Sequence, residues 1–209
     1  MNAYLLPKTV GDAWQTVPPV IQRHYAVQEG QGSSLVGVMT IAYPHFMLPL
    51  IGLISCFGGL VFRRGSNVHT RVEKTADTEG VLHWHRTLRF PDGKTAHFRS
   101  QMTYQTEHEL IETIRYGFGI RLRAEAEDGR LVYRSQGHCW QGAGLRITLP
   151  DWLLLGTATI SEQALSADSF RLDFTIRHPW WGETYSYRGD FRYAKTEVES
   201  KGVEPLPMA

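Results

Sequence analysis

From Asn67 to about Tyr193 apolar and polar residues alternate almost one for one, and no other property of this 209-residue chain constrains its fold as tightly. A period of two sorts side chains onto the two faces of an extended strand, whereas a helix needs a repeat of three to four. Turn signals cut the stretch into hairpins. Pro91-Asp92-Gly93 is the sequence of a type I turn followed by a glycine bulge, which pairs Phe90 with Lys94. That register sets Leu82, Trp84, Leu88 and Phe90 on one face with Met102, Ser100, Ala96 and Phe98. The opposite face holds His83, His85 and Thr87 with Gln101, Arg99 and His97. Asp128-Gly129 reads as a two-residue primed turn that pairs Ile120, Leu122, Ala124 and Ala126 with Gly137, Ser135, Tyr133 and Leu131. More strands are expected at 144–149, 157–165, 170–177 and 184–193, with short connections throughout.

Ahead of this region, Gly11 to Tyr25 reads as one or two short helical turns, because Pro18 and Pro19 suit a helix's first turn. Ser33 to Tyr43 is a strand ended by Pro44. Phe46 to Phe62 is an uncharged run of 17 residues followed by Arg63 and Arg64. Three readings compete for it. A transmembrane helix is just permitted by length, but would leave the 33–43 strand alone on one side with unpaired backbone groups. A helix buried against the sheet, or plugging a barrel end, needs no special partner. An interfacial helix would dip into lipid and hold the two arginines near headgroups. The expected fold is one mainly β domain over residues 1–194. In it, an antiparallel meander of about ten or eleven strands closes into a calycin-like barrel, with short N-terminal helices and one apolar helix (about 46–62) packed on or capping it. Residues 195–209 are expected to form a flexible tail. The rival is a helix-grip lipid-transfer fold, but after the last strand there is no room for its long C-terminal helix.

Composition narrows the function classes. Net charge is +1, with 22 basic and 21 acidic residues spread along the chain, so no field favours nucleic acid. Cys56 and Cys139 belong to no CxxC or metal spacing and read as two buried, reduced thiols. Met1 to Ala13 has neither the apolar core nor the cleavage site of a secretory signal, so a cytoplasmic location, peripheral to the inner membrane at most, is expected. No phosphate-binding loop, GxSxG elbow or HExxH pair occurs, and Gly117-Phe118-Gly119 is a lone GxG that opens no helix. No cofactor is expected.

The chemical candidates are few. His83, His85 and His97 share a face, but Arg89 and Arg99 share it too, and a guanidinium opposes a dication, so they read as solvated strand residues and no metal is expected. Arg86, Glu112 and Glu162 interrupt apolar faces, and an inward charge is costly unless paired. In the register above Arg86 and Glu112 are two strands and four residues apart, roughly 16 Å, and so should meet only across a barrel lumen. Trp180 and Trp181 fall at a hairpin tip, where packing on the apolar helix competes with anchoring at a membrane interface. The expected binding residues are Trp84, Arg86, Phe98, Met102, Glu112 and Tyr116, lining an interior for a hydrophobic or amphipathic small molecule such as a lipid or acyl chain. The alternative is a membrane-surface or protein-interaction accessory domain for a redox enzyme, presenting Phe46 to Phe62 and the Trp180 tip. An enzyme acting on a lipid-like substrate, with the interior Arg and Glu in acid-base roles, is a third class.

The order of a helix at Val17-Pro18-Pro19-Val20, a strand, an apolar helix and a long meander resembles a bacterial family known only as a domain of unknown function. The local likeness is in Gly144-Leu145-Arg146-Ile147-Thr148-Leu149-Pro150-Asp151-Trp152-Leu153 and in Tyr185-Ser186-Tyr187-Arg188-Gly189. Members of that family stand alone or follow saccharopine-dehydrogenase-like or epimerase-like Rossmann domains. The resemblance implies a bacterial accessory domain and carries over no catalytic residue.

Overall fold

The computed structural model describes residues 5–27 and 32–194, so the expected tail at 195–209 lies outside the described residues. Eleven strands are present among these: β1 (Gly32–Ala42), β2 (Gly65–Ala76), β3 (Leu82–Arg89), β4 (Thr95–Thr106), β5 (Glu109–Thr113), β6 (Phe118–Glu127), β7 (Arg130–Gly142), β8 (Leu145–Leu149), β9 (Thr157–Ala164), β10 (Ser169–His178) and β11 (Gly182–Tyr193). Neighbours in sequence pair antiparallel from β1 to β7, and β9 to β11 continue the meander. The first half of β7 pairs with β9, its second half with β8, and β11 returns to β1. Ten strands therefore close a barrel, with β8 as a short arm beside it. Closure removes every sheet edge except that of the arm.

The first hairpin has the expected register: Leu82 faces Met102, Trp84 faces Ser100, and the Phe90 amide donates to the Lys94 carbonyl over 2.9 Å. In the second, Leu122, Ala124 and Ala126 face Ser135, Tyr133 and Leu131 as expected, but Ile120 faces His138 rather than Gly137. Gly137 adopts φ 104 and forms a bulge there, absorbing one residue and turning β7 toward its second partner. Apolar residues point inward and charged ones outward on most strands, the reverse of a lipid-embedded barrel. On β2 the alternation is strict, with Val68, Thr70, Val72, Lys74 and Ala76 buried and each residue between them exposed.

Helices close both ends. At one end lie α1 (Leu5–Val10), a 3₁₀ turn and α2 (Pro19–Tyr25), whose Val20, Ile21, His24 and Tyr25 form one buried face. Pro18 and Pro19 start α2, as the proline pair requires. At the other end α3 spans only Leu48–Cys56, after a 3₁₀ turn at His45–Met47, and the chain leaves the helix at Phe57-Gly58-Gly59. The apolar run is thus a nine-residue cap and not a 17-residue helix, because two adjacent glycines end it. No helix among the described residues is long and apolar enough to cross a membrane. Cys56, expected to be buried, is exposed at the C-terminus of this cap, whereas Cys139 is buried.

Between β5 and β6 the chain turns through Tyr116 (φ 60) and Gly117 (φ 77). A Cβ at Gly117 would lie 1.9 Å from the Gln141 carbonyl oxygen, so no side chain fits. Gly117→Ala is expected to destabilise the barrel by about 2 kcal/mol, from left-handed strain and this backbone clash, measured as a shift in the urea midpoint.

Candidate functional site

Alternation delivers a lumen in two adjoining chambers. The larger, about 310 Å³, lies under α3; Leu88, Phe98, Leu122, Ile160 and Phe174 form its apolar wall, and Leu50, Leu53, Ile54 and Phe57 of the cap close over it. The smaller, about 50 Å³, lies deeper, against α2, and is bounded by His24, Tyr25, Trp84, Met102, Tyr133 and Glu162. Arg86 and Glu112 line both chambers and mark where apolar wall gives way to polar floor.

On the β3–β5 wall the Arg86 guanidinium is held between the Trp84 and Phe98 rings, 4.8 and 4.9 Å from their centroids. It donates to Ser100 Oγ over 2.8 Å and to Glu112 Oε1 over 3.2 Å, and Ser100 Oγ donates to the same carboxylate oxygen over 2.6 Å. Arg86 and Glu112 thus meet along one wall, not across the lumen. The strand offset is as deduced, but Ser100 lies between them and is too small to keep two long side chains apart.

Opposite this trio is a buried chain of titratable groups. Lys74 Nζ lies 2.7 Å from His24 Nδ1 and also donates to the His24 carbonyl. Because Nδ1 accepts, the imidazole proton sits on Nε2, which faces Glu162 Oε1 at 3.8 Å. Tyr25 donates its hydroxyl to that same oxygen over 2.7 Å. Burial pulls Lys74 down to about 7, only partly offset by Glu162, and the Arg86 charge lowers it further. Burial pushes Glu162 up to about 7 against its Tyr25 hydrogen bond and the Lys74 charge, and holds His24 well below its ordinary value. Burial thus brings the lysine and the carboxyl to similar proton affinities, while the imidazole between them is held unprotonated. Two polar atoms at the floor have no hydrogen-bond partner, Glu162 Oε2 and Trp84 Nε1, while the Tyr133 hydroxyl has Tyr25 beside it. Orphaned buried groups of this kind are expensive unless something else completes them.

Five of the six expected binding residues face the lumen. Phe98, Arg86 and Glu112 line the larger chamber; Trp84, Met102, Arg86 and Glu112 line the smaller. Tyr116 does not: it is 70% exposed and packs edge-on against Phe57 outside the barrel, because the left-handed turn there breaks the alternation. Ile114 and Phe118 take the interior positions on either side of it. Trp180 packs edge-on against Trp152, and Trp181 stacks on His178. His83 pairs with Asp77 at 2.9 Å and His85 with Glu73 at 3.5 Å. Among the described residues no group of three or more His, Cys, Asp or Glu side chains could hold a metal ion. Sequence reasoning misses Lys74, His24, Tyr25 and Tyr133 as site residues. The strict alternation of β2 signals Lys74 as an inward lysine; nothing local signals that α2 aims His24 and Tyr25 into the barrel.

A family model described as "Domain of unknown function (DUF4166)" matches residues 17–191. The chain belongs to that family. The match runs from the residue before the α2 prolines into β11, and so takes in all but the last two residues of the barrel of this DUF4166 protein together with α2 and α3. No curated protein matches it. Among solved structures it is similar to the crystal structure of Rv2717c from M. tuberculosis, at 11% identity and TM-score 0.44, over 86% of this chain and 99% of that one. It is also similar to a de novo designed fluorescence-activating β-barrel, at 10% identity and TM-score 0.27, over 76% of this chain and 91% of that one. Likenesses this distant carry no argument about what the DUF4166 barrel does.

Proposed function

We propose that this DUF4166 barrel binds a lipid-like small molecule, with the apolar body in the larger chamber and a neutral hydrogen-bonding head, such as a hydroxyl or carbonyl, at the floor. One observation carries this: an apolar chamber of about 310 Å³ adjoins a deeper, smaller one bounded by Glu162 and Trp84, each with a buried polar atom that has no partner in the protein. Small-molecule sites are built this way, with apolar walls and a few placed polar groups. The head is neutral because the floor offers no spare cation. Arg86 is committed to Glu112, the Lys74 amine is turned to His24 and lines neither chamber, and a ligand carboxylate would lie beside Glu112 and Glu162. Desolvating it without a partner would be costly.

An environment-sensitive apolar dye, N-phenyl-1-naphthylamine, is expected to brighten on entering the lumen and to be displaced by a long-chain alcohol. Ile160 borders both chambers, so Ile160→Trp fills free volume instead of displacing wall atoms. That variant should fold and lose at least tenfold in dye affinity. Undiminished binding by folded Ile160→Trp would place the dye elsewhere and sink the lumen as the site.

A further inference from the structure

The exposed apolar residues are gathered at one end of the barrel. β1 runs toward that end, and the β3–β4, β5–β6, β7–β8 and β10–β11 turns lie there with α3. Among the exposed large apolar residues of the described chain, only Val38 and Leu165 lie elsewhere. The rest form a crown around the cap: Phe46 and Leu53 from its 3₁₀ turn and helix, Ile147 from β8, Trp152 just after it, and Trp180 and Trp181 at the β10–β11 tip. Trp180 is 73% exposed and Phe46 60%, levels that a lone surface residue shows but a cluster of this size does not without a partner.

Charge follows the same axis. Around the crown stand Arg64, Lys94, Arg115, Arg146 and Arg177, none ion-paired with a described carboxylate; its acidic residues are fewer and each has a partner, Asp92 with Arg63, Asp151 with His138 and Glu183 with Arg188. Each hairpin turn at the opposite end carries a carboxylate and no lysine or arginine: Asp77 and Glu79, Glu107, Asp128, and Asp168. The lumen opens into the crown, since Leu53, Phe57 and Leu149 are both exposed there and part of the chamber wall.

We infer that this crown docks on a lipid bilayer bearing anionic headgroups, with the tryptophans at the interfacial depth, the basic residues at the phosphates and the cap facing the acyl chains. Indole rings belong at that depth, and arginine above it meets the negative surface potential. A second copy fits less well, because a two-fold contact through the crown would set the same arginines against one another. Docking would place the mouth of the lumen against a reservoir of apolar molecules; the inference itself does not depend on the lumen being filled.

Co-sedimentation with vesicles tests it, using phosphatidylcholine alone and phosphatidylcholine mixed with phosphatidylglycerol. The protein is expected in the pellet with the anionic vesicles and in the supernatant with the neutral ones. Arg115→Ser combined with Arg146→Ser should lower the partition coefficient roughly 30-fold, and Trp152→Ser combined with Trp180→Ser at least tenfold, since all four side chains are on the surface. Leu165→Ser, at the far end, should change nothing. The inference is overturned if the wild type ignores anionic vesicles, or if light scattering finds a dimer that Trp152→Ser with Trp180→Ser converts to monomer, which would assign the crown to a second copy.

Discussion

The barrel is expected to become more stable as the pH is raised from about 7 to about 9, by up to roughly 1.4 kcal/mol per unit, and Lys74→Met is expected to abolish that rise. Lys74 titrates at about 7 in the folded protein and at 10.5 in its ordinary setting. Between those values the unfolded chain binds a proton that the native chain does not, so stability increases with pH and is lost as pH falls toward 7. Below 7 two groups oppose each other. Glu162 keeps its proton in the fold up to about 7 against an ordinary 4.5, so its contribution falls as pH rises through that window. His24, held well below 6.5, is unprotonated in the fold while the unfolded chain takes up a proton, so its contribution rises over the same range. The acid side is therefore flatter than the range from about 7 to about 9, above which the buried tyrosines, whose hydroxyls burial keeps protonated in the fold, turn the curve down as the unfolded chain loses its phenol protons. Near pH 7 Lys74→Met should equal or exceed the wild type, having removed a buried amine. Near pH 10 it should be less stable by about 2 to 4 kcal/mol, with His24 Nδ1 and its carbonyl left without a donor. Urea denaturation across this range gives both curves, and parallel curves would show that Lys74 is not the buried amine described.

Glu112→Leu is expected to destabilise the barrel by about 3 kcal/mol, since it leaves the Arg86 guanidinium in the lumen with Ser100 as its one remaining hydrogen-bond partner. Both side chains keep some exposure, 18% and 13%, which holds the figure to the lower part of the range for buried pairs. Arg86→Met alone should cost a similar amount, because Glu112 would then keep a single donor, Ser100. The double variant Arg86→Met with Glu112→Leu should recover most of the loss, because an apolar pair of similar volume needs no desolvation offset. A double-mutant cycle in urea measures the coupling, expected at about 2 kcal/mol or more. Additive single costs would mean that the two groups do not act as a pair.

Which parts of this molecule can be read from the chain follows from how local the deciding physics is. The 82–104 hairpin is legible to the residue because the Pro91-Asp92-Gly93 turn fixes register and side-chain alternation does the rest. The second hairpin is legible until Gly137, where a bulge adds one residue and shifts Ile120 to His138. Tyr116 escapes the alternation for a related reason, a left-handed turn that reverses the face on which the next side chain falls. Alternation places Arg86 and Glu112 on the right face but too far apart, since backbone spacing says nothing of how far two long side chains lean over a serine. The Lys74, His24 and Glu162 chain is legible in two of its three members at most. Its third comes from α2, which reaches β2 and β9 only once the barrel has closed.

Calorimetric titration of the purified protein with straight-chain primary alcohols of increasing length, each beside the carboxylic acid of the same length, bears on the lumen most directly. Affinity for the alcohols should rise about fourfold per methylene, from roughly 0.8 kcal/mol of apolar burial each, and level off when the larger chamber is full. The matched acids should bind at least tenfold more weakly near neutral pH. An absence of heat throughout the alcohol series, or acids binding more tightly than alcohols, would contradict an apolar chamber that ends on a floor without a free cation.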